Sequence, residues 1–282
     1  MRVALFAWVL LAVLQLPAQQ TDTAHPAVSS VLEGMKSKSW TEREKGFGEA
    51  ADLLGSAETS AKDVDRLRLG IIQLLVHEDN GGLKEADDVT AENYGEGYGE
   101  GKSEYYAGLI EFVAALNDER AIPALLGAAG SGGIATRAVA RFGKNALVPT
   151  LEQVKSGDSD SATGALHVIR DMLEFGFVSD PASLLRVKGS LRLALASPEY
   201  RVRENAMGTI EHLADRQEFV PILQDIAEHD PYKSPYNLGG GSEEDQYRVR
   251  RRARLLLRKI ANNEQPVIDK GWPPSESQPV KP

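Results

Sequence analysis

The residues with the most unusual chemistry form one run, Tyr94-Gly95-Glu96-Gly97-Tyr98-Gly99-Glu100-Gly101. Alternating glycines are what a phosphate-cradling loop uses, because bare backbone lets N–H groups approach an anion. Such a loop also needs positive surroundings, and Glu92, Glu96, Glu100 and Glu104 supply the opposite sign. Nucleotide binding is excluded on that ground. Asp79, Asn80, Glu85, Asp87 and Asp88 are oxygen donors of the kind calcium takes, but their spacing is not that of an EF-hand. Two readings remain, a solvated surface loop and a recognition loop. Tyrosine gives contact area at low entropic cost, and glycine lets it adapt. On the second reading Tyr94, Tyr98 and Glu100 are binding residues. Tyr236, ahead of Gly239-Gly240-Gly241, joins them from a second insertion.

A basic run follows near the C-terminus: Arg248, Arg250, Arg251, Arg252, Arg254, Arg258 and Lys259. Placed on a helix, Arg251, Arg254 and Arg258 form a stripe opposite Val249, Ala253 and Ile260. That stripe is either the polar outer face closing a repeat array or a site for an anion or acidic partner. His25, His77, His167, His212 and His229 share no metal-ligand spacing, and neither His-Glu-x-x-His nor Gly-x-Ser-x-Gly occurs. The chain has no cysteine, which excludes disulfides, a thiolate zinc site, a cysteine nucleophile and a lipid anchor on cysteine. Carboxylate pairs such as Glu243 and Glu244 lie in loop sequence, without the burial a catalytic acid needs. No catalytic residue, cofactor or metal is expected.

The elements that position these residues are helical. Ala and Leu are plentiful and aromatics make up only 6%, a balance that favours helix on helix. The net charge of −9 argues against nucleic acid as a partner. At the N-terminus Arg2 precedes an apolar run from Val3 to Leu14, then Gln15-Leu16-Pro17-Ala18. This order reads as a secretory signal peptide over residues 1–18. Its run is shorter than the roughly 20 residues a membrane-spanning helix needs. The mature chain is therefore expected outside the cytoplasm, periplasmic or extracellular, with no stable membrane insertion. Residues 19–30 read as a linker, 31–262 as one helical domain with insertions at 78–104 and 231–246, and 263–282 as a disordered Pro-rich tail.

Internal repeats organise that domain. Tyr200-Arg201-Val202-Arg203 returns as Tyr247-Arg248-Val249-Arg250. At the same offset Ala206, Ile210 and Leu213 find counterparts in Ala253, Leu257 and Ile260, all on one helix face. Weaker copies run through Ile134, Ala138 and Phe142, and through Ala165, Ile169 and Met172. A second unit, aliphatic-Pro-x-Leu, occurs at Ile122-Pro123, Val148-Pro149 and Val220-Pro221. Proline belongs in a helix's first turn, so each unit marks a helix start. Asp118 and Asp215 stand just upstream, suited to the positive end of a helix. The chain thus alternates A helices that begin near proline with B helices that carry Val-Arg. Arg203 and Arg250 are expected to bond carboxylates or carbonyls between repeats.

These two units resemble HEAT repeats, especially the short HEAT-like units of phycobilisome lyases. The resemblance covers residues 31–262 and is clearest after Asp118. It implies an all-α fold, an α–α superhelix of about five to six helix pairs with a concave binding surface. It does not imply lyase activity, since fold is a poor guide to chemistry. The leading expectation is an exported, non-enzymatic scaffold that binds a protein or peptide of unknown identity. The alternatives are a glycan- or anion-binding module, or a carboxylate-based hydrolase or lyase in the groove.

Overall fold

The computed structural model describes residues 26–84, 86, 101–131, 133–156, 158–235 and 246–266. Twelve α-helices run through them, and no strand occurs among the described residues. They are α1 (Pro26–Met35), α2 (Trp40–Gly55), α3 (Ala61–Asp79), α4 (Gly101–Ala115), α5 (Ile122–Ala128) and α6 (Gly133–Arg141). Then follow α7 (Lys144–Val154), α8 (Ser159–Glu174), α9 (Pro181–Leu195), α10 (Tyr200–Ile210), α11 (Val220–His229) and α12 (Arg248–Ala261). The segment read as a signal peptide, Tyr94, Tyr98, Glu100, Tyr236 and the tail beyond Pro266 lie outside the described residues.

Each odd-numbered helix packs against the even-numbered helix that follows it. Along the stack α3, α5, α7 and α9 contact in order, as do α4, α6, α8, α10 and α12. The result is two layers of helices forming an α–α superhelical stack. One apolar core runs through it from Val28 in α1 to Ile260 in α12. Small residues keep the layers close: Ala135, Ala165, Ala206 and Ala253 are fully buried. Leu and Ile from both layers fill the space between.

Local chemistry sets the helix starts. Ser60, Asp158 and Asp180 cap α3, α8 and α9 by accepting backbone N–H groups of the first turn. Pro181 opens α9, and Pro123 and Pro221 lie in the first turns of α5 and α11. A 3₁₀ turn precedes each of α5 and α11, and the Asp118 carboxylate accepts Arg120 N–H in the first of them. Pro149 behaves differently. It lies inside α7, because Gly143 (φ +54°) turns the chain straight into Lys144 and a further turn winds ahead of the proline.

Three further expectations are corrected. The segment read as a linker to residue 30 is helical from Pro26, and α1 buries Val28, Val31 and Met35. The first insertion is shorter than 78–104, since α3 continues to Asp79 and α4 begins at Gly101. On α12 the buried side chain is Leu256, with Leu257 only partly covered, and on α6 Ile134 is exposed rather than core. Leu257 lies at the edge of the buried line, where the 3.6-residue repeat carries it, and still packs against the core, whereas Ile134 stands exposed in the first turn of α6.

Candidate functional site

Both insertions leave the stack at the same kind of place. Each joins an odd-numbered helix to its even-numbered partner, α3 to α4 and α11 to α12, so their stems lie on one edge. The stems are built alike. Glu78 is the last residue but one of α3, and Asp230 follows α11 as its C-cap. Each acid is buried and gripped by an arginine from the even-numbered helix of the preceding pair.

Arg203 of α10 donates from Nε to Asp230 Oδ2 (2.6 Å) and from Nη2 to Asp230 Oδ1 (3.0 Å). Its Nη1 donates to the carbonyls of Ser197 and Pro198, both at 2.8 Å. Arg250 Nε adds a bond to the Asp230 carbonyl at 2.7 Å, so three helices meet at this acid. The expectation of a bond between repeats therefore holds for Arg203, whereas Arg250 bonds within its own helix pair. Arg43 of α2 repeats the arrangement: Nη1 donates to Glu78 Oε1 (2.6 Å) and Nε to the Ser37 carbonyl. In both cases the accepting carbonyl lies six residues before the arginine. The sequence signal is Ser37-x-x-Trp40-x-x-Arg43 against Ser197-x-x-Tyr200-x-x-Arg203.

Aromatic rings close each clamp. Tyr105 meets Trp40 edge-on at 5.4 Å and Phe47 at 5.3 Å, and the Arg43 guanidinium lies 5.1 Å from the Tyr105 ring. The Tyr105 hydroxyl donates to the Met35 carbonyl (3.2 Å). Burial, and then the Glu78 charge, push that hydroxyl well above the ordinary tyrosine range. It stays a neutral donor. At the second stem Tyr232 stacks flat on Tyr200 with centroids 3.7 Å apart. Ser234 N–H bonds the Gln246 carbonyl at 2.8 Å and draws the two ends of that insertion together.

Between the end of α3, α4 and the start of α6 the helices part to leave a recess of about 810 Å³. Glu78, Asp79 and Asn80 form one wall, Ser103, Tyr106 and Ile110 of α4 a second, and the first turn of α6 a third. Tyr106 donates its hydroxyl to Asp79 Oδ1 at 2.8 Å. Lys84 stands on the rim. A second, more apolar recess of about 490 Å³ opens between α9 and the end of α10, lined by Leu184, Leu185, Leu213 and Pro266 among others.

The basic stripe is divided by its surroundings. Arg254 Nη2 donates to the Ala227 carbonyl of α11 at 3.1 Å, which turns it towards its own pair. Arg251 and Arg258 are exposed. Around them Arg248 pairs with Glu204 at 2.7 Å, and Arg252 and Lys259 both reach Glu211. Much of the run therefore ties α12 to α10. Of the tyrosine-bearing site, only the stems fall among the described residues. Arg43, Tyr105 and Tyr106 were not singled out from sequence; the first carries the repeat signal above, while the two tyrosines carry none. Compared with protein families, curated proteins and solved structures, the chain matches none.

Proposed function

We propose that this chain is an exported, non-enzymatic scaffold that holds a protein or peptide against one edge of a HEAT-like solenoid. The observation that carries this reading is the pair of equivalent clamps. Arg43–Glu78 and Arg203–Asp230 fix the roots of both insertions on the same edge. A root held by buried, hydrogen-bonded charge orients a loop at little entropic cost on binding. The signal-like order of residues 1–18 supports a site of action outside the cytoplasm. The recess between α3, α4 and α6 supplies concave surface with polar and apolar walls, as binding sites do. Its two carboxylates are consecutive residues at one helix end. Hydrolysis by a carboxylate pair calls for two acids on opposite sides of the scissile bond.

The test uses the chain from residue 19, with residues 92–100 intact or replaced by a Gly-Ser linker of equal length. Chemical cross-linking in the native exported fraction is expected to trap a partner with the intact chain and not with the linker variant. Equal trapping by both chains, or none by either, would refute the proposal.

A further inference from the structure

We infer that the tail of this chain folds back on the molecule, with Ile268 and Trp272 filling the apolar recess between α9 and the end of α10. The inference is independent of the scaffold reading and concerns a surface that reading does not use. Buried Leu173, Val178 and Leu213 form the floor of the recess, and Leu184 and Leu185 form its open wall. Leu185 is 67% exposed. Apolar surface left to water in this way favours a cover. The volume of about 490 Å³ lies in the range of about 300–1,000 Å³ that takes small apolar ligands, room enough for an indole and an aliphatic side chain.

The path of the chain identifies the occupant. Helix α12 ends in a Schellman turn at Asn263 (φ +54°). Asn263 N–H bonds the Ile260 carbonyl and Glu264 N–H the Lys259 carbonyl, both at 3.0 Å. The turn brings the chain to the end of α10, where buried Arg216 holds it. Arg216 donates from Nη2 to the Glu264 carbonyl and from Nη1 to the Glu211 carbonyl (3.3 Å). Pro266, the last described residue, then forms part of the recess wall itself. The large apolar residues that follow are Val267, Ile268, Trp272 and Val280, so three of the four come within six positions of that wall. Six extended residues span about 20 Å, enough for Trp272 to turn back at Gly271 and enter. Lys270, between them, has a carboxylate in reach on the rim, the largely exposed Asp215. A segment tethered to the wall also acts at an effective concentration in the millimolar range, which fills a weak apolar site ahead of any separate molecule.

Tryptophan emission tests this in the full chain. The spectrum of the parent minus that of Trp272→Phe isolates Trp272 from Trp8 and Trp40. In native buffer this difference is expected to peak to the blue of the same difference taken in urea, and to be shielded from acrylamide. Leu185→Asp places a charge on the open wall and should erase the blue shift, because a charge against an indole is left unpaired. Ile268→Asp, which removes nothing from the helical stack, should erase it as well. Leu193→Asp is the control: it lies on the same helix, 58% exposed and away from the recess lining, and should leave the shift unchanged. Helical circular dichroism checks that each variant is folded. A native difference spectrum that matches the one in urea refutes the inference. So does a blue shift that survives Leu185→Asp or Ile268→Asp, or one that Leu193→Asp removes. A shift that fades on dilution puts the tail in the recess of a second copy and overturns the inference too.

Discussion

Replacing Asp230 by alanine tests the clamp directly. The arginine side chain it faces is 8% exposed and Asp230 itself 2%, so neither charge has bulk water to fall back on. Asp230→Ala removes two bonds from Arg203 and one from Tyr232 N–H (3.0 Å). Arg203 keeps the Ser197 and Pro198 carbonyls, which are neutral acceptors and do not balance its charge. Breaking a buried pair from one side costs about 3–5 kcal/mol, chiefly because the remaining charge is stranded. The double replacement Arg203→Met with Asp230→Leu removes both charges and should recover most of that loss. Urea unfolding followed by helical circular dichroism measures all three chains. Stacked pairs can unfold in segments, so midpoints are compared together with slopes. A loss below about 1 kcal/mol for Asp230→Ala would be the size of an exposed ion pair and would refute the buried clamp. A double variant as weak as the single one would refute the stranded-charge explanation.

Other predictions follow from packing and capping. A β-carbon at Gly46 would meet the Met35 backbone nitrogen at 2.8 Å, so Gly46→Ala forces α1 and α2 apart. It should destabilise by about 1–3 kcal/mol in urea melts. Gly48, in the same helix, faces open space, and Gly48→Ala should stabilise by about 0.5–1 kcal/mol in the same assay. Ile169, fully buried in α8, should lose about 2–5 kcal/mol on replacement by alanine. Asp180 caps α9, and hydrogen bonds from Ser183, then Lys144, hold its carboxyl down to about 2. A depressed folded-state value means the cap's contribution is present above the unfolded value, about 3.9, and fades as pH falls towards 2. Unfolding midpoints of the parent should therefore fall between about pH 4 and 2 more than those of Asp180→Asn.

Much of the stack is legible in the sequence because the repeat units act locally. Val-Arg marks α10 and α12, and aliphatic-Pro marks α5 and α11, so these helices form close to the expected places. The proline rule fails at Pro149, where no acidic cap precedes the helix and a positive-φ glycine starts it earlier. Helix α1 was hidden by polar residues between Thr21 and Ser30. Val28, Val31 and Met35 nonetheless have helical spacing, and Pro26 is an ordinary first residue. The recess was not legible at all. Asp79, Tyr106 and Ile134 come from three helices, and nothing in their local sequence announces that they face one another.

The clamps connect these two levels. Each arginine belongs to a local pattern, serine, aromatic and arginine at three-residue steps, whereas each acid is reached only through the stack. The acid lies 35 residues beyond Arg43 but 27 beyond Arg203. No fixed sequence distance therefore defines the pair; the return of α3 or α11 to the same edge does. A well-packed apolar contact would stabilise such a place as well or better. What an ion pair adds is direction: Arg203 donates from Nε and both Nη groups, and Arg43 from Nε and Nη1, so each holds its acid in one orientation. Glu78 and Asp230 stand where the chain leaves the stack. The clamp therefore sets the direction in which each insertion departs, and a one-turn slip of α3 or α11 would strand both charges.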